Sequence, residues 1–269
     1  MKYVVDHDYH IHTQLSACSN DPEQNAERIL QYAKDNRLKR ICVTDHYWDR
    51  ETEGASNWYR PQDFEHISKV LPLPKADGID FLFGAETEFS KENKIGMPQS
   101  RFDSFDFVII PTTHLHMTGF TLDKDDAECE DTNRIRAELW VKKLDTLLSL
   151  DLPFHKIGIA HLACPLINKS SPEDYFDVLN RISAEGMERV FAKAADRGCG
   201  IELNQSDIGK MKIEPEIVGR MFRIAKQQGC KFYMGSDAHH PNGLDSAKSA
   251  FEFAVDLLGL EESDKFHIG

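Results

Sequence analysis

Positive charge is scarce in this sequence. Its 269 residues carry 32 Lys and Arg against 45 Asp and Glu, for a net charge of −13. Nucleic-acid affinity comes mostly from Lys and Arg on phosphates, so no nucleic-acid partner is expected. No apolar run approaches the roughly 20 residues that a membrane helix needs, which removes a membrane partner as well. The opening MKYVVDHDYH is charged too early for a signal peptide. The six cysteines form no C-x-x-C pair, so neither a zinc ribbon nor a disulfide scaffold is expected. In the cytoplasmic setting this implies, Cys42, Cys129, Cys164, Cys199 and Cys230 read as small buried hydrophobes. Linkers, low-complexity tracts and internal repeats are missing too, and residues 1–269 read as one domain. There is no G-x-S-x-G or P-loop pattern to supply a serine nucleophile or a phosphate cradle.

What is present is strand–helix alternation along the whole chain. Strand-like runs end at Tyr9–His12, Ile41–Thr44, Phe81–Gly84, Phe107–Pro111, Ile157–Ala160, Gly200–Leu203 and Phe232–Gly235. Amphipathic helical stretches lie between several of them: Pro22–Asn36, Thr132–Leu150, Glu185–Arg197 and Pro215–Gln228, with Leu244–Leu258 closing the chain. Asn20-Asp21-Pro22 and Ser171-Pro172-Glu173 read as helix starts, and Gly198 and Gly229 as helix stops. This pattern predicts an α/β fold with a mainly parallel sheet: a seven-unit TIM-like barrel, or alternatively an open doubly wound sheet. His46–Gln62 and Leu115–Asp131 read as loops at the barrel mouth.

Eight of the twelve histidines (His10, His12, His46, His114, His116, His161, His239 and His240) fall at or just beyond a predicted strand end. In a parallel barrel those ends converge on one face. Residues two apart in a strand point the same way, so His10 and His12 offer two imidazoles to one ion. The same spacing recurs at His114 and His116, and at Asp237 and His239. Buried imidazoles and carboxylates in such number need partners, and divalent cations satisfy all of them at once.

Taken in order, H-x-H-T (His10, His12, Thr13), T-D-H (Thr44, Asp45, His46), G-x-E (Gly84, Glu86), His114, A-H (Ala160, His161) and G-S-D-A-H (Gly235 to His239) resemble the PHP (polymerase and histidinol phosphatase) metal-dependent phosphoesterases. The resemblance runs from about residue 8 to 243. It implies a distorted (β/α)7 barrel and a cofactor of two or three divalent ions: Zn, Mn or Fe. His10, His12, Glu86 and Asp237 would hold the first ion. Glu86 would bridge to a second, completed by His114 and His161. His46 and His239 would hold a third, with Cys18 standing where the family usually has His or Asp. A thiolate there favours zinc over manganese.

Paired ions about 3.5–4 Å apart can hold a hydroxide between them and clamp phosphoryl oxygens. The expectation is therefore a phosphatase acting on a small phosphorylated substrate, the only partner to which the sequence points. The stand-alone histidinol phosphatases are the branch it resembles, which makes histidinol phosphate a named candidate. Around the ligands, Asp45 is a candidate to orient an imidazole and His116 to protonate the leaving group. Glu202 and Asn204 share one strand face at the mouth. Arg60, Lys169 and Lys210 are candidates to grip a substrate anion. Tyr47, Trp48, Trp58 and Tyr59 form either a lid or a loop anchor. Two alternatives stand beside this reading: an amidohydrolase-type metal hydrolase, and a non-catalytic metal-binding regulatory barrel.

Overall fold

The computed structural model of the protein describes residues 1–269. Its strands are β1 (His7–Ile11), β2 (Arg40–Val43), β3 (His46–Tyr47), β4 (Asp80–Thr87), β5 (Phe107–Pro111), β6 (Ile157–Ala160), β7 (Gly200–Asn204) and β8 (Lys231–Gly235). The helices are α1 (Ala26–Asn36), α2 (Phe64–Ile67), α3 (Lys124–Glu128), α4 (Thr132–Leu147) and α5 (Pro172–Arg181), followed by α6 (Ala184–Arg197), α7 (Gln205–Ile213), α8 (Pro215–Gln227), α9 (Pro241–Asp245) and α10 (Ala247–Leu258).

Seven strands pair in parallel in the order β1-β2-β4-β5-β6-β7-β8, and the short β3 pairs with β4 outside that path. The ends of the sheet meet. Asp237 N donates to His10 O at 2.7 Å and His12 N to Ala238 O at 3.1 Å, beside a parallel bridge between Ile11 and Ala238. The sheet is thus a nearly closed seven-stranded barrel, and the open doubly wound alternative is excluded. Closure brings every strand's C-terminal end to one rim.

The strands bury both faces, as parallel strands must. On β5, Val108 and Ile110 join the outer core beneath the helices, whereas Phe107 and Ile109 fill the barrel with Tyr9, Ala160, Tyr233 and Phe266. Gly158 makes room for that filling, because a Cβ there would sit 2.5 Å from Tyr233 Oη and 2.6 Å from Phe107 Cζ.

Helix punctuation follows the sequence at most ends. Ser171 caps α5 ahead of Pro172, and Gly198 ends α6 in the left-handed region. The start at Asn20-Asp21-Pro22 is corrected: α1 begins at Ala26, where Asn25 accepts a hydrogen bond from Arg28 N at 2.9 Å. Asn25 is the better cap because its side chain reaches the orphan N–H three residues on, while Asp21 caps only a turn through Glu23 N. The two predicted loops each contain a short element, β3 in the first and α3 in the second. Helix α7 carries little apolar periodicity and is not predicted by it; Asn204 caps it directly off β7. No helix is long and apolar enough to cross a membrane.

Candidate metal centre

The site begins with an irregularity in β1. The β1–β2 register breaks between Asp8 and Ile11, so Tyr9 packs inside the barrel while Ile11 packs outside it. Bulges re-aim side chains in this way beside functional sites. Above the break His10 and His12 share a face, with their Nε2 atoms 3.0 Å apart.

Most of the imidazoles are held through Nδ1, leaving Nε2 turned to a common space. His10 Nδ1 pairs with Glu202 at 2.6 Å, His12 Nδ1 with Ser16 Oγ at 2.8 Å, and His114 Nδ1 with Glu88 at 2.8 Å. His161 Nδ1 meets Asn204 at 3.3 Å, and His239 Nδ1 donates to Asp237 O at 2.8 Å. The oxygens of Glu202, Ser16, Glu88 and Asp237 accept here, the arrangement that fixes the tautomer and ring orientation of metal-binding histidines, whereas Asn204 presents its amide nitrogen to His161 and orients that ring only. His46 is the exception: its Nδ1 lies 2.9 Å from Glu86 Oε2 without hydrogen-bond geometry.

Two acids stand in the middle. Glu86 Oε1 is 3.1 Å from His161 Nε2, and Asp237 Oδ1 lies 3.3 and 3.2 Å from the Nε2 atoms of His10 and His12. His161 and Asp237 both have left-handed backbones, with φ of 60° and 54°. Such conformations are strained for non-glycine residues and recur at functional sites. Four overlapping triads result, each with its ligand atoms within 4.8 Å of one another: His10/His12/Asp237, His10/Glu86/His161, His12/His46/His239 and His114/His161/Cys164.

Burial works against charge on every member, and the charges answer one another. Glu202, Asp237 and Glu86 hold His10 protonated well above its usual range despite its burial. In turn His46 and His10 hold the buried Glu86 carboxyl well below its own range. Burial, then His12, pushes His239 down to about 3. Glu86 Oε2 is fully buried with no hydrogen-bond partner, as is His46 Nδ1. Nitrogen and carboxylate donors with orphaned atoms aimed at one space fit divalent cations, and the overlap of the triads suits two or three of them.

A cavity of about 520 Å³ opens over these groups. Its wall includes Cys18, Trp58, Tyr59, His116, Met117 and Leu166. Cys18 is exposed on that wall and belongs to none of the triads. Asp45 does not line the cavity; it accepts from Thr13 N, Thr13 Oγ and Ser16 Oγ at 2.6–2.7 Å, and so reaches His12 through Ser16 rather than His46. His116 keeps an unpartnered buried Nδ1, and burial followed by His114, Lys169 and Arg136 lowers its pKa to about 4. Lys169 is exposed beside this histidine. Arg60 lines a different cleft, with Arg50 and Lys69, and Lys210 lies over the Tyr175 ring, 5.8 Å from its centre.

The aromatic loop divides. Tyr47, Trp48 and Tyr59 are fully buried anchors, whereas Trp58 is 40% exposed and sets its edge against His46. Cys129 is half-exposed rather than buried. Cys164 is buried, but it faces the cavity beside His114 and His161, whose hydrogen bonds overcome the effect of burial and bring its thiol down to about 7. The sequence held no spacing signal for it. Glu88 was within reach of the period-two argument, since G-A-E-T-E places it on the face of Glu86.

Residues 8–206 match the PHP domain. Two curated relatives, each described as a probable phosphatase, come from Thermoanaerobacter sp. and Thermoanaerobacter pseudethanolicus. Both are 28% identical over 242 residues, covering 89% of this chain and 80% of theirs. Among solved structures, a histidinol phosphate phosphatase from Lactococcus lactis subsp. lactis, complexed with zinc, L-histidinol and phosphate, superposes with a TM-score of 0.58 at 18% identity. That match covers 97% of this chain and 98% of the other.

Proposed function

The chain belongs to the PHP-domain family, and from that premise we propose that it hydrolyses a small phosphate monoester, with L-histidinol phosphate the first candidate. Its His/Asp/Glu clusters form a metal-dependent phosphoesterase active site. The observation that carries the reading is the convergence of four ligand triads at the floor of one cavity of small-molecule size.

In this reading His10, His12, Glu86 and Asp237 hold one ion. Glu86, His114 and His161 hold a second. His46 and His239 hold a third, with Cys18 on the adjoining wall, and His12 belongs to that third group by proximity. When bound, the ions supply Lewis acidity and a water activated near neutral pH. The chain does the positioning. Glu202, Glu88, Ser16 and Asn204 orient imidazoles, and Asp45 steadies Ser16. Trp58, Met117 and Leu166 flank the organic part of the substrate and keep water from it. His116 offers its unpartnered Nδ1 to the ester oxygen, and Lys169, exposed and close enough to act on His116, is the candidate cation for a substrate anion. Arg60 and Lys210 are placed for roles outside the cavity.

The same reading takes residues 1–269 as one domain, supported by a core cluster of 61 buried side chains running from Tyr3 to Leu260. Six free thiols suit a reducing cytoplasm. The amidohydrolase alternative places a bridging Lys or Glu on the fourth barrel strand; here that strand, β5, runs into Thr112-Thr113-His114, and the central acid, Glu86, is on β4. The test is a panel of phosphate mono- and diesters, histidinol phosphate included, assayed with manganese and zinc separately. Release of phosphate from monoesters is expected; activity confined to diesters or amides would reverse the assignment.

A further inference from the structure

The ligand set implied by family resemblance has sulfur only at Cys18. The folded chain puts a different sulfur among the nitrogens. His161 turns left-handed at the end of β6, and Cys164 N then donates to His161 O at 3.0 Å. That turn brings residues three apart onto one ligand space, where Cys164 Sγ, His161 and His114 lie within 4.8 Å of one another and all three are buried. A tetrahedral zinc site needs nitrogen and sulfur donors about 3.5 Å apart, which follows from bonds of about 2.0 and 2.3 Å, and side-chain adjustment within a triad spanning no more than 4.8 Å can reach that spacing.

Two further contacts adjoin this triad. Glu86 Oε1 touches His161 Nε2 at 3.1 Å, while its other oxygen, wholly buried and without a hydrogen-bond partner, faces His46 and His12 at 2.9 and 3.4 Å, so one carboxylate reaches both groups of ligands. Leu166 N donates to Cys164 Sγ at 3.5 Å, the kind of outer contact that steadies a ligating atom. His114 is likewise ready, with Nδ1 taken by Glu88 and Nε2 left over.

We propose that Cys164 is a metal ligand, completing with His114 and His161 a sulfur-containing second site that Glu86 joins to the first. This rests on reading the cavity as a metal centre. A thiolate selects zinc or cobalt over manganese or magnesium, so the second position is the zinc-selective one and Cys18 is dispensable for sulfur ligation.

The test uses the full chain loaded with zinc or cobalt. X-ray absorption at the zinc edge should show a sulfur shell at about 2.3 Å in the wild type and in Cys18→Ser. Cobalt-loaded protein should carry a near-ultraviolet sulfur-to-cobalt charge-transfer band that survives Cys18→Ser and disappears in Cys164→Ser. A zinc-loaded wild type with only nitrogen and oxygen neighbours overturns the proposal, as does a band that follows Cys18. Should Cys164→Ser fail to fold, the sulfur shell in Cys18→Ser decides the matter alone. Wild-type protein that binds no stoichiometric metal sinks the underlying reading instead, a different result from metal bound without sulfur.

Discussion

Glu202 Oε1 lies 2.6 Å from His10 Nδ1, a buried contact between residues 192 positions apart. The other carboxylate oxygen accepts from His161 N at 3.0 Å, so one acid orients candidate ligands on two strands. Gly235 permits it, because a Cβ there would sit 2.0 Å from Glu202 Oε1 and 2.7 Å from His10 Cβ. Glu202→Gln should therefore weaken metal binding about 10–100-fold, the usual effect of removing such a partner. Titration against a competing chelator measures it, and unchanged affinity would show that His10 needs no support.

Asp237→Asn and His12→Ala should each lower phosphate release by at least about 100-fold, because they remove proposed ligands rather than their supports. Asparagine tolerates the left-handed backbone of residue 237, so Asp237→Asn should keep its circular dichroism and cooperative melting. Full activity in either variant would remove that residue from the site.

Trp58 and Trp48 should separate function from stability. Trp58→Ala removes a partly exposed ring at the cavity wall and should raise KM with Tm nearly unchanged. Trp48 is 1% exposed and donates Nε1 to Thr52 O at 2.8 Å, so its loss should cost about 3–5 kcal/mol of stability. Thermal melts paired with substrate titrations test both, and the reverse pattern would make Trp58 the anchor.

Chelation should leave the barrel folded, since its apolar core is separate from the ligands, but should lower Tm. An ion that binds only the folded state stabilises it by RT ln(1 + [M]/Kd), about 2.7 kcal/mol at 100 times Kd. Melting with and without chelator, then with zinc restored, checks this; identical curves would mean that no ion is bound.

At the opposite end of the barrel, Lys265 Nζ donates to Asp6 at 3.0 Å and to Glu262 at 2.6 Å, pinning the C-terminal segment beside β1. Burial opposes the Asp6 charge, but His7 and Lys265 hold its carboxyl well below the ordinary 3.8. The unfolded chain therefore takes up the proton first on acidification. The stability contributed by Asp6 is complete above about pH 4 and is lost as the pH falls toward the depressed value. Asp6→Asn should be less stable than wild type at pH 7, with the gap narrowing toward pH 3. A gap of constant width in urea titrations would exclude this linkage.

Much of the architecture was legible because backbone periodicity is local. Phe107–Pro111 and Ile157–Ala160 are strands at the predicted bounds, since short β-branched runs favour a fully buried strand. The first helix was placed four residues early, because both Asp21 and Asn25 can cap and only packing selects one. The register break in β1, across which Tyr9 packs inside the barrel and Ile11 outside it, left no mark in the sequence either.

The sequence by itself determined which residues stand at strand ends, and hence that imidazoles and carboxylates gather on one rim of a parallel barrel. Tertiary structure decided the rest: that Cys164 rather than Cys18 joins a ligand triad, that Asp45 serves His12 through Ser16, and that Trp58 but not Trp48 meets the cavity. Side-chain direction along a strand follows from its two-residue repeat. Distances across a barrel depend on closure, bulges and left-handed turns, which arise only when distant strands pack together.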